Sequence, residues 1–275
     1  MTVLLRHRRL VAGPFALIAL AIVAGSIFFM VGGRAQGQSS LVSTNPADIM
    51  AGARLYQNSC QSCHGFQGGG GQTGAPALVS VGAAAADFYL TTGRMPLNNP
   101  ANQPIRHRPY FNPLQIRQLV AYINALPVIT GTDQHGPTIP TVGPLCPTAA
   151  PEPGCVTLSQ GMQGFSLNCA QCHHASGAGG ILSKGNVVPS LRNANLTQVA
   201  EAIRVGPRPM PVFGPGQMSD QEMSAIAHYV QYLHHPSDPG GLGLGHFGPV
   251  AEGFVGVVIG FSLLWFATRM IGTRG

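Results

Sequence analysis

The chain has 275 residues, room for two small domains with separate cores. Hydrophobic residues make up 45% and charged residues only 9%, a balance that excludes a disordered, highly charged chain and implies that part of it lies in lipid. A formal net charge of +6 does not mark a nucleic-acid binder: from residue 34 to residue 238 ten basic residues stand against eight acidic ones, and no basic stripe with interleaved aromatics occurs there.

The excess charge lies at the ends. Residues 1–9 carry Arg6, Arg8 and Arg9, and the 22 residues 10–31 that come next are uncharged, long enough to cross a bilayer. A transmembrane helix is expected at 10–32, with the basic flank in the cytoplasm. A cleaved signal has an apolar core of roughly 7–15 residues, shorter than this run. Ala24-Gly25-Ser26 would still serve as a cleavage region and Pro14 weakens a long helix, so a signal segment is the alternative to a retained anchor. Either one exports the central part of the chain.

Residues 45–127 and 156–235 read as one unit written twice. Gly52 and Gly161 each lie eight residues before a cysteine, and Tyr56 and Phe165 four before it. Spacings of four and eight fall on one helical face, so the aromatic is expected in a core. Glycine-rich stretches at 65–74 and 177–185 lead to Pro76-Ala77-Leu78 and Pro189-Ser190-Leu191. Short helical segments at 87–93 and 196–206 come next, and each copy closes on an amphipathic helix, at 113–126 and 219–233, with Tyr122 or Tyr229 late in it. An insertion at 97–109 is the main difference between the copies.

Between them, 128–155 is a proline-rich linker. A glycine-rich linker at 236–246 leads to a second apolar run at 247–268, then to a tail at 269–275 with Arg269 and Arg274. Those arginines place the C-terminus in the cytoplasm too. Glu252 is expected at the outer interface, since an acid at the bilayer centre is costly. Gly256 and Gly260 have the spacing of a close helix contact, although ordinary composition explains them equally well.

The chemistry sits in two runs, Cys60-Gln61-Ser62-Cys63-His64 and Cys169-Ala170-Gln171-Cys172-His173. Cys-x-x-Cys-His is the attachment motif of haem c: Cys60, Cys63, Cys169 and Cys172 would bond the porphyrin edges, and His64 and His173 would ligate iron. A zinc site or a reducible cysteine pair is the competing reading, and the doubling of the full motif disfavours it. Pro76 and Pro189 could accept a hydrogen bond from the imidazole behind the metal. The expectation is two covalently bound haem c groups and no catalytic residue. The remaining cysteines, Cys146 and Cys155, are close in an exported segment and are expected to form a disulfide.

The sixth iron ligand separates electron transfer from peroxide or gas chemistry. Met95 is the only methionine of the first copy beyond its motif. In the second, Met210 competes with Met218 and Met223; it shares the Arg…Met-Pro setting of Met95 and is preferred. A histidine could replace either methionine; His107, His174, His234 and His235 read instead as surface residues.

Two tandem motifs of this kind between terminal apolar segments resemble the dihaem cytochrome cc subunits of actinobacterial menaquinol:cytochrome c reductases, the cytochrome bcc complexes, over essentially the whole chain. The resemblance implies an all-α fold of two tandem class I cytochrome c domains flanked by transmembrane helices, with axial pairs His64/Met95 and His173/Met210. It implies a cytochrome b subunit, a Rieske iron–sulfur subunit and an aa-type oxidase as partners. The first haem would accept electrons from the Rieske centre and the second would pass them to the oxidase copper, with the haem domains outside the cytoplasmic membrane. Two other classes compete: a cytochrome subunit of a quinone-linked alcohol or sugar dehydrogenase, and a dihaem peroxidase, which would need a haem without methionine.

Overall fold

In both copies a capped helix delivers the cysteine motif. The computed structural model describes residues 42–71, 74–99, 101–147, 152–183, 185–236 and 249–272. The expected segment at 10–32 with its basic flank, all but Pro236 of the 236–246 linker, the Glu252 side chain and the end of the tail lie outside the described residues. Helix α1, Pro46–Ser59, starts where the Asn45 side chain accepts from the Ala47 amide, with Pro46 in the first turn. The one-turn helix α2, Gln61–His64, follows it directly. Helix α3 is Gly82–Thr91, and α4, Pro113–Thr130, opens with a reciprocal capping box between Asn112 and Gln115.

The second copy repeats this order. Thr157 and Gln160 cap α5, Leu158–Asn168, and the single turn α6, Ala170–His173, carries the motif. Asn195 and Gln198 cap α7, Leu196–Val205, and Ser219 caps α8, Asp220–Tyr232. One small departure from an all-helical reading is an antiparallel ladder, β1 (Gly180–Ile181) with β2 (Val187–Val188), inside the glycine-rich stretch.

The crossing of first and last helices explains the paired glycines. A Cβ on Gly52 would stand 2.0 Å from the Gln118 carbonyl oxygen, and one on Gly161 2.1 Å from that of Ala225. Backbones therefore touch at α1/α4 and α5/α8, an approach only glycine permits. One turn further on, Tyr56 packs on Tyr122 with ring centroids 5.3 Å apart, and Phe165 on Tyr229 at 5.5 Å. Each such pair contributes about 0.5–1.5 kcal/mol beyond its buried area. Leu119, Ile123 and Leu126 fill out the first core; Met223, Ile226 and Val230 fill the second.

Helix α4 runs past its expected end at 126 because Pro127 keeps helical φ and gives up only one amide. Gly131 then closes the helix in left-handed conformation. The linker beyond it is docked on both halves. Pro137 O accepts from the Ala84 amide of α3, while Gly143 donates to the Ser224 hydroxyl and accepts from His228 of α8. Ile139 packs on the first core and Val142 on the second. A disulfide joins Cys146 to Cys155, next to a bridge between Leu145 and Val156.

Helix α9, Pro249–Gly272, contains the 20-residue stretch Gly253–Gly272, with mean hydropathy 1.9, long and apolar enough to cross a membrane. It ends four residues beyond the expected 268, so Arg269 falls in its last turn and stacks 5.2 Å from the Trp265 ring centroid. A cation there complements the helix dipole.

Candidate haem sites

Each motif histidine is held from behind by a proline carbonyl. His64 Nδ1 lies 2.9 Å from Pro76 O, and His173 Nδ1 3.1 Å from Pro189 O. A carbonyl only accepts, so Nδ1 carries the proton in both rings and Nε2 keeps its lone pair for a metal. Burial pushes the basicity of His173 down, which favours that neutral form. Burial, with the neighbouring motif thiol second, pushes Cys60 and Cys169 up to about 11, so both stay uncharged at neutral pH. In the first copy the Tyr56 hydroxyl also donates to Gly65 O at 2.8 Å, fixing the turn after His64; Phe165 has no such group.

A cavity of about 260 Å³ opens beside the second motif. Cys169, Cys172, His173 and Met210 all line it, among apolar walls that include Leu191, Val199, Ile203 and Phe213. Met218 and Met223 are almost fully buried in the core and do not line it. The Met210 loop is clamped by Arg204, whose guanidinium donates to Phe213 O and Met218 O, both at 2.8 Å, and to Asp220 Oδ1 at 2.5 Å. In the first copy Met95 and Cys60 pack against the same core and His64 is buried; the Met95 amide donates to Tyr89 O at 3.2 Å.

The insertion at 97–109 does more than lengthen a loop. Gln103 pairs in both directions with the Val187 backbone, at 2.8 and 2.9 Å, and Arg106 donates to Gln198 at 2.5 Å. Gln103, Pro104, Ile105 and Arg106 form a wall of the second cavity, joined by Phe88 and Arg94 from the same half. Nearby, Asp87 of α3 meets Glu201 of α7. Burial, then the Asp87 charge, pushes Glu201 up to about 10, so it is protonated at neutral pH; both its carboxyl oxygens are buried without a hydrogen-bond partner among the described residues.

Of the other histidines, His107, His174 and His235 are exposed as expected. His234 is a correction: it is half-buried, with Nε2 2.9 Å from Leu191 O, because the end of α8 packs on the loop after Pro189.

Two thiols on one helical turn, an imidazole with its outer nitrogen bare and a thioether facing the same apolar cavity form a donor set that fits haem c. Motif, proline-backed histidine and helix crossing together define a c-type cytochrome, an electron-transfer protein. The family model for cytochrome c oxidase, cbb3-type, subunit III matches residues 47–123 and 156–230, more than half the chain. The chain is 37% identical to a cytochrome bc1 complex cytochrome c subunit of Mycobacterium leprae, over 80% of its own length and 75% of the relative's. It is 35% identical to the Mycobacterium bovis protein of that name (96% and 92% covered) and 32% to the one from Corynebacterium efficiens (97% and 90%). A solved chain of a Kuenenia stuttgartiensis reducing HAO-like protein complex aligns at 20% identity and a TM-score of 0.37, over 66% of this chain and 95% of that one, too distant to bear on the fold. The chain belongs to the family of cytochrome bc1 complex cytochrome c subunits.

Proposed function

We propose that this chain is the membrane-held dihaem electron carrier of a menaquinol:cytochrome c reductase, taking electrons from a Rieske iron–sulfur centre and passing them to the copper centre of an aa-type oxidase. Cys60 and Cys63 would hold the first haem by thioether bonds, and His64 and Met95 would be the side chains offered to its iron. Cys169, Cys172, His173 and Met210 would serve the second in the same roles. Bound haem supplies a one-electron couple at its iron. The residues around it exclude water, fix each imidazole through a proline carbonyl and present a thioether, a ligand set that raises the potential and leaves the iron closed to other chemistry.

The observation that carries this reading is the doubling: motif, His–Pro bond and glycine crossing all recur in one chain whose relatives are named as bc1 complex subunits. Family membership supports cytochrome b and Rieske subunits as partners, and the apolar helix α9 supports a lipid anchor. With a second span at 10–32 the chain is multi-pass, both termini are cytoplasmic and the haem domains lie outside. Its place in enzyme terms is the electron-transfer subunit of the reductase, with no catalytic site of its own.

The test is to tag the chain, extract native membranes in mild detergent and identify the co-purifying proteins by mass spectrometry. Cytochrome b, a Rieske protein and oxidase subunits are expected. A quinone-linked dehydrogenase subunit in their place would overturn the assignment.

A further inference from the structure

Arg94 is 7% exposed, and its Nη1 has no hydrogen-bond partner among the described residues. Its guanidinium lies 4.7 Å from the centroid of the Phe88 ring, and both side chains line the cavity of the second motif although they belong to the first half. Arg106 lines the same cavity, and Arg208 joins them from the second half. No aspartate or glutamate is among the described lining residues. A buried guanidinium with unused donors is costly unless something negative occupies the space before it. Haem carries two carboxylates on its propionate arms, and arginine is the side chain best shaped to take them.

We propose that the second haem is bound across the junction of the two halves, with Arg94 and Arg106 of the first half seating its propionates. The inference rests on reading the second motif as a haem site. Arg94 then has a double position, since its neighbour Met95 faces the first haem. A single peptide bond then links the residue that serves one redox centre to the residue that serves the other, and the charge that sets one potential is carried by the loop that ligates the other.

The test uses the full-length chain purified from membranes in detergent. Haem is counted by pyridine haemochrome, and a redox titration resolves its components; Met210→His marks the component that belongs to the second half. Two haems per chain and one marked component are expected. A single haem, or no component moved by Met210→His, removes the underlying reading and the inference with it. Given the marked component, Arg94→Gln and Arg106→Gln should each lower its potential, raising its oxidised-to-reduced ratio at fixed ambient potential by roughly three- to tenfold, the size of a partly screened charge-pair loss. Arg94→Lys should restore most of the shift, which a merely space-filling role would not produce. If Arg94→Gln does not assemble, Arg106→Gln decides alone, being remote in sequence from Met95. An unmoved marked component in the glutamine variants, or movement confined to the other component, overturns the proposal.

Discussion

The two halves share a frame and differ in how they finish it. Both cross their first and last helices at a glycine, both stack an aromatic on a late tyrosine, and both back the motif histidine with a proline carbonyl. They part at the loop before the last helix. The second half ties its short loop down with Arg204, whereas the first places an insertion there and extends it over its neighbour's cavity. What the repeat preserves is therefore the means of holding a histidine and two cysteines. What diverges is the wall opposite, where a closed side must be built from whatever lies next to it.

The largest effect should come from the shared part. Cys63→Ser and Cys172→Ser should each abolish one thioether, leave that half poorly loaded and weaken its folding, while the other half keeps its haem; haem staining of separated proteolytic fragments checks this. Equal loss in both halves from a single substitution would mean that the halves mature as one unit. Next in size are the crossings. Gly52→Val and Gly161→Val drive a side chain into a facing carbonyl and should each cost about 3 kcal/mol or more, the upper range for overpacking. Thermal melts should show similar losses for both, and a tolerated Gly161→Val would break the symmetry.

Arg204→Leu tests the divergent part. It removes three hydrogen bonds, two of them to backbone carbonyls of the loop, and should cost about 2–3 kcal/mol. It should also loosen the Met210 loop, so weakening of the absorption band of methionine-ligated ferric haem is expected for the second half alone. The remaining effect depends on pH and concerns the seam. Glu201 has its folded pKa raised from 4.5 to about 10, so between those values the folded chain holds a proton that the unfolded chain releases, and stability falls as pH rises across that window. Glu201→Gln removes this dependence. Its melting temperature should exceed the parent's by more at pH 9 than at pH 5, and a gap that is constant with pH would show that the carboxyl is not held protonated.

Much of the frame is legible from spacing alone. Gly52 and Tyr56 sit at offsets from Cys60 that recur at Gly161 and Phe165, and short-range periodicity of that kind reports helix faces directly. Proline carbonyls behind histidines are readable too, because the motif and the proline lie within one loop. The rest depends on contacts distant in the chain. Gln103 meets Val187 across 84 residues, and nothing in the composition of 97–109 distinguishes a wall from a surface loop. Arg204 reads as an ordinary charge at a helix end until the loop folds back over it. Asp87 and Glu201 each look solvated, because the burial that protonates Glu201 exists only where α3 and α7 meet. The linker is equally opaque: its prolines announce an absence of helix, not the docking of Pro137 and Gly143 on two different helices.

The insertion also has a consequence in time. Residues 97–109 precede everything they cover, and a chain emerges N-terminal end first. The first half can thus reach the far side of the membrane and begin to fold before the second motif arrives, offering a mould against which the later part closes. Replacing 97–109 with a short Gly-Ser turn should spare haem loading of the first half and reduce that of the second. The repeat is then a sequence of assembly as well as a pair of sites, in which the earlier copy serves as scaffold for the later one.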